Sequence, residues 1–246
     1  MRLTEINLRE KEFHNKLHSG SGKRKEGFFY KALSNVYADF YKILSQLSPN
    51  KEVLDFGCGT GSYVKQVSNF KPKKIIGIDI SENSIEKAKK NNSENIQTTD
   101  FKVGNCEDTK LNSEQFDLVY GSAILHHLEF KKSLDEIYRL LKVDGSLVFI
   151  EPMATNPFIN FYRFLTPKSR SHDEHPLTNK DLDYIKSKFK DCKVQYYGFF
   201  TLVFILFYKS PESKIFKFLK KIDHIFLNNN FFKGLAWTVI ITAKKN

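Results

Sequence analysis

Between residues 51 and 152, short runs of apolar, often β-branched residues alternate with longer segments of helical periodicity. The runs have the length and composition of buried strands. They cover residues 51–57, 73–80, 96–104, 116–124 and 146–152. Helices are predicted to begin near Thr60, Ser81 and Phe130, with Ser81 as an N-cap. This alternation predicts an α/β fold with a doubly wound parallel sheet, whose ligands bind beyond the carboxyl ends of the strands.

The flanking segments follow other patterns. Residues 1–50 predict two helices separated by SGSGKRK, which would form an N-terminal helical cover of the 51–152 core. Residues 153–246 predict a substrate-side segment of the same domain. It contains a Pro-rich stretch, a helix over about 181–189 capped by Thr178 or Asn179, and strands near 192–199 and 236–244. An antiparallel pair of these strands would complete a mostly parallel seven-stranded sheet, with residues 200–235 as an insertion that forms a lid or a partner surface.

Composition restricts the class of protein. No apolar run approaches the roughly 20 residues that cross a bilayer, and the charged N-terminus does not resemble a secretory signal, so we expect a cytoplasmic protein. Cys58, Cys106 and Cys192 form no spacing typical of disulfides or zinc sites. The net charge of +11 divides into +4, −1 and +8 over residues 1–50, 51–150 and 151–246. Either the basic flanks are solvated lysine-rich surfaces, or they meet an anionic substrate, membrane or nucleic acid.

The segment VLDFGCGTG contains three glycines, Gly57, Gly59 and Gly61, in a G-x-G-x-G pattern. The dinucleotide fingerprint has its third glycine one residue later, which argues against NAD. Asp55 would repel a pyrophosphate but attract an ammonium group. Asp79 ends the next strand, where a carboxylate suits a ribose diol. These features predict a cationic ligand that contains a ribose.

The chain resembles the class I S-adenosylmethionine-dependent methyltransferases, including a bacterial small-molecule subgroup. The resemblance lies in VLDFGCGTG, GIDIS, VGNCED, FDLVYGSAILHHL and LKVDGSLVFIEP, in the family's order and spacing. It implies a Rossmann-like methyltransferase fold with S-adenosylmethionine as cofactor, and it leaves the methyl acceptor open.

The resemblance also assigns roles to residues. The backbone from Gly57 through Cys58 to Gly59 would approach the methionine and ribose groups, and Asp55 would serve the amino group. Asp79 would bind the ribose hydroxyls and Ile80 would flank the adenine. Further expected cofactor-binding residues are Gly61, Asn105, Cys106, Glu107 and Ser122. The family often has Asp at the position of Asn105, whose amide oxygen can still accept from the adenine amino group.

Two groups of residues are candidates for a catalytic base, which helps when the nucleophile must lose a proton. One is the pair His126 and His127, of which His126 is expected to point inward. The other is HDEHP, where Asp173 or Glu174 would orient His172 or His175. The alternatives are a helix cap with a surface histidine, and a solvated loop. No metal ligand set can be assigned. His14 could also reach the cofactor or the acceptor.

Residues 199–232 contain nine of the 23 phenylalanines, beside the 13-residue uncharged run YYGFFTLVFILFY. Beyond it, Ile215, Leu219, Ile222 and Phe226 recur at helical spacing among lysines. Such a helix packs on its own domain, lies on an anionic bilayer near a lipid-like acceptor, or forms a homodimer contact.

Three functions remain open from the sequence. The first is methylation of a small molecule, with oxygen as the expected atom and an apolar, lipid-like or glycoconjugate acceptor. The second is RNA or DNA methylation, although residues 121–124 lack the Asn-Pro-Pro-aromatic motif of base-modifying relatives, so nucleic acid is not the expected partner. The third is a non-catalytic protein that binds S-adenosylmethionine.

Overall fold

The computed structural model describes residues 3–18, 31, 33–95, 97–166, 171, 173–205, 208–229 and 231–246. The described part contains a seven-stranded sheet in the order β3-β2-β1-β4-β5-β7-β6. The strands are β1 Glu52–Phe56, β2 Lys74–Asp79, β3 Thr99–Val103, β4 Phe116–Ser122, β5 Leu141–Pro152, β6 Lys190–Tyr197 and β7 Thr238–Lys244. The predicted α/β fold with seven strands is thus confirmed.

Strands β3, β2, β1, β4 and β5 are parallel, and β7 lies antiparallel between β5 and the edge strand β6. The strand order reverses between β1 and β4, which opens a crevice at their carboxyl ends. Strand β5 begins at Leu141, five residues before its predicted start, and its pairing with β4 shifts register between Phe116 and Leu118. Residues 141–145, with the sequence LKVDG, therefore lie within β5 rather than before it.

Helices cover both faces of the sheet. They are α1 Glu5–His18, α2 Ser34–Leu47, α3 Ser62–Ser68, α4 Glu82–Asn91, α5 Phe130–Leu140, α6 Pro157–Leu165, α7 Asn179–Lys188, α8 Phe200–Val203 and α9 Lys214–Leu227. Helices α2, α3 and α4 contribute to one apolar core, whereas α5 and α7 contribute to the other. Val53 and Leu54 on β1 point into opposite cores, as the two-residue period of a strand requires.

The helix starts follow capping chemistry. Ser81 accepts from the Ser84 amide at 3.1 Å, and Thr178 forms a reciprocal capping box with Asp181. Helix α3 begins at Ser62 rather than near Thr60, because Gly61 has φ +73° and still belongs to the turn. The predicted break SGSGKRK lies outside the described residues.

The segment between β6 and β7 contains α8 and α9. Helix α9 buries Phe216, Leu219 and Leu227, while Ile215 is exposed. Of the predicted stripe only Leu219 is buried, so the packed face of α9 is rotated from the expected one. No helix in the described part of the chain has the length and apolarity needed to span a membrane.

A buried carboxylate joins α9 to α8. Asp223 is 1% exposed and accepts hydrogen bonds from the amides of Phe199, Phe200 and Thr201 and from the Thr201 hydroxyl, at 2.6–3.3 Å. Burial raises the pKa of Asp223, and the donors partly offset that effect. The N–H groups at the start of the short helix α8, which have no acceptor within the helix, thus donate to a carboxylate on α9.

We expect Asp223→Ala to lower the free energy of unfolding by about 3 kcal/mol, because it leaves several buried donors without acceptors. Asp223→Asn keeps one acceptor oxygen and should cost less. Urea denaturation measures both, with Asp183→Ala on the exposed surface of α7 as the control. Equal midpoints for Asp223→Ala and the control would contradict this role.

Candidate active site

A cavity of about 440 Å³ lies at the carboxyl ends of β1, β2 and β4, within the size range of small-molecule and cofactor sites. Helix α1 forms part of its wall. The sheet side contributes Gly57, Cys58, Gly59, Thr60, Asp79, Ile80, Asn105, Cys106, Ser122, Ala123 and Ile124, and α1 contributes Asn7, Glu10 and His14. Most residues of the sequence motifs are therefore brought together at one place.

The glycine turn after β1 presents backbone to this cavity. Gly57 has φ +75°, and a Cβ there would lie 2.4 Å from Ile124 Cγ1, so a side chain is excluded. The amides of Gly57 and Cys58 both donate to the Ile78 carbonyl at 2.9 Å. At Gly59 an added Cβ would meet no atom within 4 Å, which leaves room for a ligand against the backbone. Gly61 instead lies against Asn92 and Phe101 and does not border the cavity.

Asp79 is held rigidly at the end of β2. Its Oδ2 accepts from the Gly59 amide at 2.8 Å, and its Oδ1 accepts from the Ser81 amide at 2.9 Å. Burial raises the pKa of Asp79, while these backbone hydrogen bonds act in the opposite direction. Each oxygen retains a second lone pair, which suits the two hydroxyls of a ribose.

Asp55 lies behind the turn and does not line the cavity. It is 1% exposed and accepts from the Tyr120 hydroxyl at 3.0 Å. Burial raises the pKa of Asp55 to about 7, the Tyr120 hydrogen bond lowers it, and the Asp79 charge adds to the rise. A nearby ammonium group would favour the ionised form.

Asn105 borders the cavity but is already hydrogen-bonded. Its Oδ1 accepts from the Glu107 amide at 2.9 Å, and its Nδ2 donates to Asn7 Oδ1 at 3.1 Å. Asn7 in turn donates to Glu107 Oε1 at 3.1 Å, and Glu107 does not line the cavity. One lone pair of the Asn105 oxygen remains for a ligand. No sequence motif marked Asn7, which reaches this loop from 98 residues away.

The other polar groups on the sheet side are neutral. Burial raises the pKa of the Cys58 and Cys106 thiols well above the ordinary value. Ser122 Oγ lies 2.9 Å from the hydroxyl of Tyr63, which the sequence analysis did not identify, and burial raises the pKa of Tyr63 as well. A thiolate or phenolate base is therefore disfavoured in this cavity.

The two adjacent histidines have different surroundings. His126 is buried, and its Nδ1 lies 2.6 Å from Glu151 Oε2. Glu151 is fully buried and also accepts from the amides of Ile124 and Leu125. The cavity is lined by His127, not by His126 as the sequence suggested. Glu151 and His126 thus fix the shape of the loop that presents His127.

Helix α1 places a carboxylate against His127. Glu10 Oε2 lies 3.2 Å from His127 Nδ1 and 3.7 Å from His14 Nε2. Burial alone raises the pKa of Glu10, but hydrogen bonding from His127 and Ser171 and the charges of both histidines outweigh it, so the pKa is lowered overall. An ionised Glu10 therefore faces His127. The family resemblance pointed to His14 but gave no role to Glu10.

The segment HDEHP supports α1 from outside. Asp173 binds the Arg9 guanidinium through both oxygens, at 2.7 and 2.9 Å. Glu174 Oε1 lies 3.8 Å from His126 Nε2. His175 is exposed, and its backbone amide donates to the His126 carbonyl at 2.7 Å. Neither Asp173 nor His175 lines the cavity, and His172 lies outside the described residues.

Among the residues that the structure describes, two groups of side chains have donor atoms spaced closely enough for a metal ion. They are Glu10, His14 and His127, and His126, His127 and Glu174, with the donor atoms of each group within 4.8 Å of one another. Both groups share His127. In both groups, attraction between the carboxylate and the imidazole rings is enough to explain why these side chains lie close together without a cation.

Comparison with known proteins agrees with this geometry. Residues 54–149 match the family described as "Methyltransferase domain". Demethylmenaquinone methyltransferase of Symbiobacterium thermophilum is 32% identical over 125 residues, which are 47% of either chain. Ubiquinone/menaquinone biosynthesis C-methyltransferase of Hydrogenovibrio crunogenus is 32% identical over 136 residues, 51% of this chain and 54% of the relative. The matched region thus spans about half the length of these relatives.

Solved structures share the fold over a longer range. Geranyl diphosphate C-methyltransferase of Streptomyces coelicolor, in complex with Mg²⁺, geranyl diphosphate and S-adenosyl-L-homocysteine, superposes with a TM-score of 0.69 at 14% identity, covering 100% of both chains. The open backbone at Gly59, the fixed Asp79 carboxylate and the cavity size fit S-adenosylmethionine. Residues 54–149 thus match a methyltransferase family, and the described part of the chain has the fold of the class I S-adenosylmethionine-dependent methyltransferases.

Proposed function

We propose that the chain methylates a small apolar molecule at a carbon atom next to an acidic hydroxyl, with His127 as the proton acceptor. The contact between Glu10 and His127 at the cofactor cavity carries this proposal, because it supplies an oriented base where the acceptor would bind. The two curated relatives described above are named for quinone methylation, one of them explicitly as a C-methyltransferase. Their names favour carbon over the oxygen that the sequence alone suggested.

The cofactor supplies a methyl group on a positively charged sulfur. His127 removes the hydroxyl proton of the acceptor, and the electron density moves to the adjacent carbon. That carbon forms the new bond as the carbon–sulfur bond breaks, with its electron pair going to sulfur. The methylated carbon then loses its own proton to solvent, and the electron pair of that bond restores the conjugation of the acceptor. The protonated His127 returns its proton to the oxygen, so the hydroxyl is regenerated and one proton is released overall. Glu10 Oε2 lies 3.2 Å from His127 Nδ1 and so favours a proton on that nitrogen, which leaves Nε2 to accept the proton of the acceptor.

Residues of the cavity supply alignment rather than covalent chemistry. The glycine turn and Asp79 fix the cofactor, and α1 brings the base towards the acceptor end, so that the nucleophile, methyl carbon and sulfur can lie in line. The neutral thiols of Cys58 and Cys106 and the neutral Tyr63 phenol leave the imidazole as the best proton acceptor in this cavity.

Replacement of His127 should affect the methyl-transfer step but not the binding of the cofactor. We expect His127→Ala to lower kcat by about 10²–10⁴-fold and to leave the affinity for S-adenosylhomocysteine unchanged, since general-base catalysis contributes about that factor. Glu10→Gln should lose less activity, because the imidazole stays in the cavity and only the carboxylate that faces its Nδ1 is replaced. His224→Ala on the exposed side of α9 is the matched control.

The same assay tests the alternative of a metal site. EDTA followed by gel filtration should leave the activity of the wild-type chain unchanged. Loss of activity that Zn²⁺ or Mg²⁺ restores would assign the cluster of Glu10, His14 and His127 to a cation and contradict the base. If the chain binds S-adenosylmethionine but transfers no methyl group either before or after EDTA treatment, a non-catalytic role is favoured instead.

Asp55 should make cofactor binding release protons. With a pKa of about 7 it is about half protonated at pH 7, and the ammonium group of the ligand would ionise it. Calorimetric titration with S-adenosylhomocysteine in phosphate and in Tris should show release of about half a proton per ligand. Asp55→Asn should abolish the release, whereas Asp79→Ala should weaken affinity itself. Equal release by wild type and Asp55→Asn would exclude Asp55 as its source.

The position of the new methyl group tests the choice of carbon. With labelled S-adenosylmethionine and demethylmenaquinol as the acceptor, we expect a labelled product that keeps both exchangeable hydroxyl protons, as mass spectrometry in D₂O would show. Loss of one exchangeable proton would mean oxygen methylation. Transfer to bulk RNA but not to the quinol would favour the nucleic-acid alternative and overturn the proposal.

A further inference from the structure

Helix α6 exposes large apolar side chains. Phe158, Phe161 and Leu165 recur at i, i+3 and i+7 along one side of the helix, and all three are exposed. Phe164 is 80% exposed, and Ile159 is the buried apolar residue of the helix. Single exposed apolar residues are ordinary on protein surfaces, but a cluster of this size on one helix marks an interaction site.

Helix α9 has a second apolar stripe beside its packed face. Ile215, Phe218 and Ile225 are exposed, and with 3.6 residues per turn they lie along one side of the helix. Lys214 and Lys221 border this stripe on the side away from the packed face. Residues 209–221 contain five lysines and a single glutamate, Glu212, which pairs with Lys217.

A series of aromatic contacts connects the two helices. The Phe158 ring on α6 lies 6.1 Å from that of Phe199, which stacks on Phe226 of α9 at 5.6 Å. Phe226 stacks on Phe232 at 3.9 Å, and Phe232 contacts Phe231, which is 85% exposed. These contacts place Phe158 of α6 and Phe226 of α9 in one aromatic cluster that ends at the exposed Phe231. We call the exposed apolar residues of α6 and α9, together with Phe231, the apolar face.

We propose that the apolar face docks the chain on an anionic lipid bilayer. Exposed phenylalanines and leucine would enter the boundary between headgroups and acyl chains, while the α9 lysines meet anionic headgroups. An interface in which α9 packs on α9 of a second copy would bring the lysine-rich borders of the two helices towards each other, where like charges repel. Charge complementarity thus favours the lipid surface. The proposal does not depend on methyl transfer.

Flotation of the full-length chain with phosphatidylcholine vesicles, with and without phosphatidylglycerol, tests the proposal. We expect binding to the anionic vesicles that weakens with added salt. Phe161→Ser, Phe164→Ser and Phe218→Ser combined should lower the partition coefficient by about a hundredfold, from the apolar area withdrawn from the membrane. Lys214→Gln with Lys221→Gln should lower it about fivefold for each lysine.

Matched variants keep the test independent of folding. Phe164→Ser and Val143→Ser each remove one exposed apolar side chain, but Val143 lies at the start of β5, outside the apolar face. The first should weaken vesicle binding and the second should not, with S-adenosylhomocysteine affinity unchanged in both. Equal vesicle binding by the combined phenylalanine variant and wild type would overturn the proposal. The proposal would also be overturned if the wild-type chain bound no vesicles but formed a dimer, and if the combined phenylalanine variant were a monomer.

Discussion

The hydrogen bond from the Gly59 amide to the Asp79 carboxylate joins the ends of β1 and β2, and the ligand cavity depends on it. A turn with positive φ at Gly57, Gly59 and Gly61 has many alternatives in an isolated chain. Asp79 Oδ2 and the Ile78 carbonyl select one of them by accepting the amides of Gly59 and of Gly57 and Cys58. The same bonds keep a buried carboxylate hydrogen-bonded before any ligand arrives, so binding requires little reorganisation of the protein.

The acceptor end of the cavity depends instead on the position of α1. Polar contacts from α1 reach three separate loops: Asn7 to Asn105, Arg9 to Asp173, and Asn15 to Ser81. Between these contacts Glu10 is carried to His127. HDEHP, predicted as a catalytic loop, thus acts on the site through Arg9 and α1. Its Asp173 carboxylate holds the helix in place and does not border the cavity.

Sequence reasoning identified the sheet, its order of helices and most cavity residues because these follow from local rules. Strand periodicity, Ser81 as a cap and the positive-φ glycines each depend on a few neighbouring residues. Asn7, Glu10 and Tyr63 were missed because their roles arise only when α1 and α3 meet loops that are distant in the chain. His126 does point inward, but it faces the buried Glu151 rather than the cavity, and the sequence could not show this because Glu151 lies on β5, 25 residues away.

The insertion shows why an apolar helical pattern does not by itself define a packed face. Helix α9 has apolar residues on more than one side, so periodicity alone suggested Ile215, Leu219, Ile222 and Phe226 as the stripe. The buried Asp223 decides the outcome, because its hydrogen bonds to residues 199–201 fix the rotation of the helix. Once that side faces inward, Ile215, Phe218 and Ile225 have to remain outside. The buried acid, and not the apolar residues, therefore determines which hydrophobic surface the protein presents.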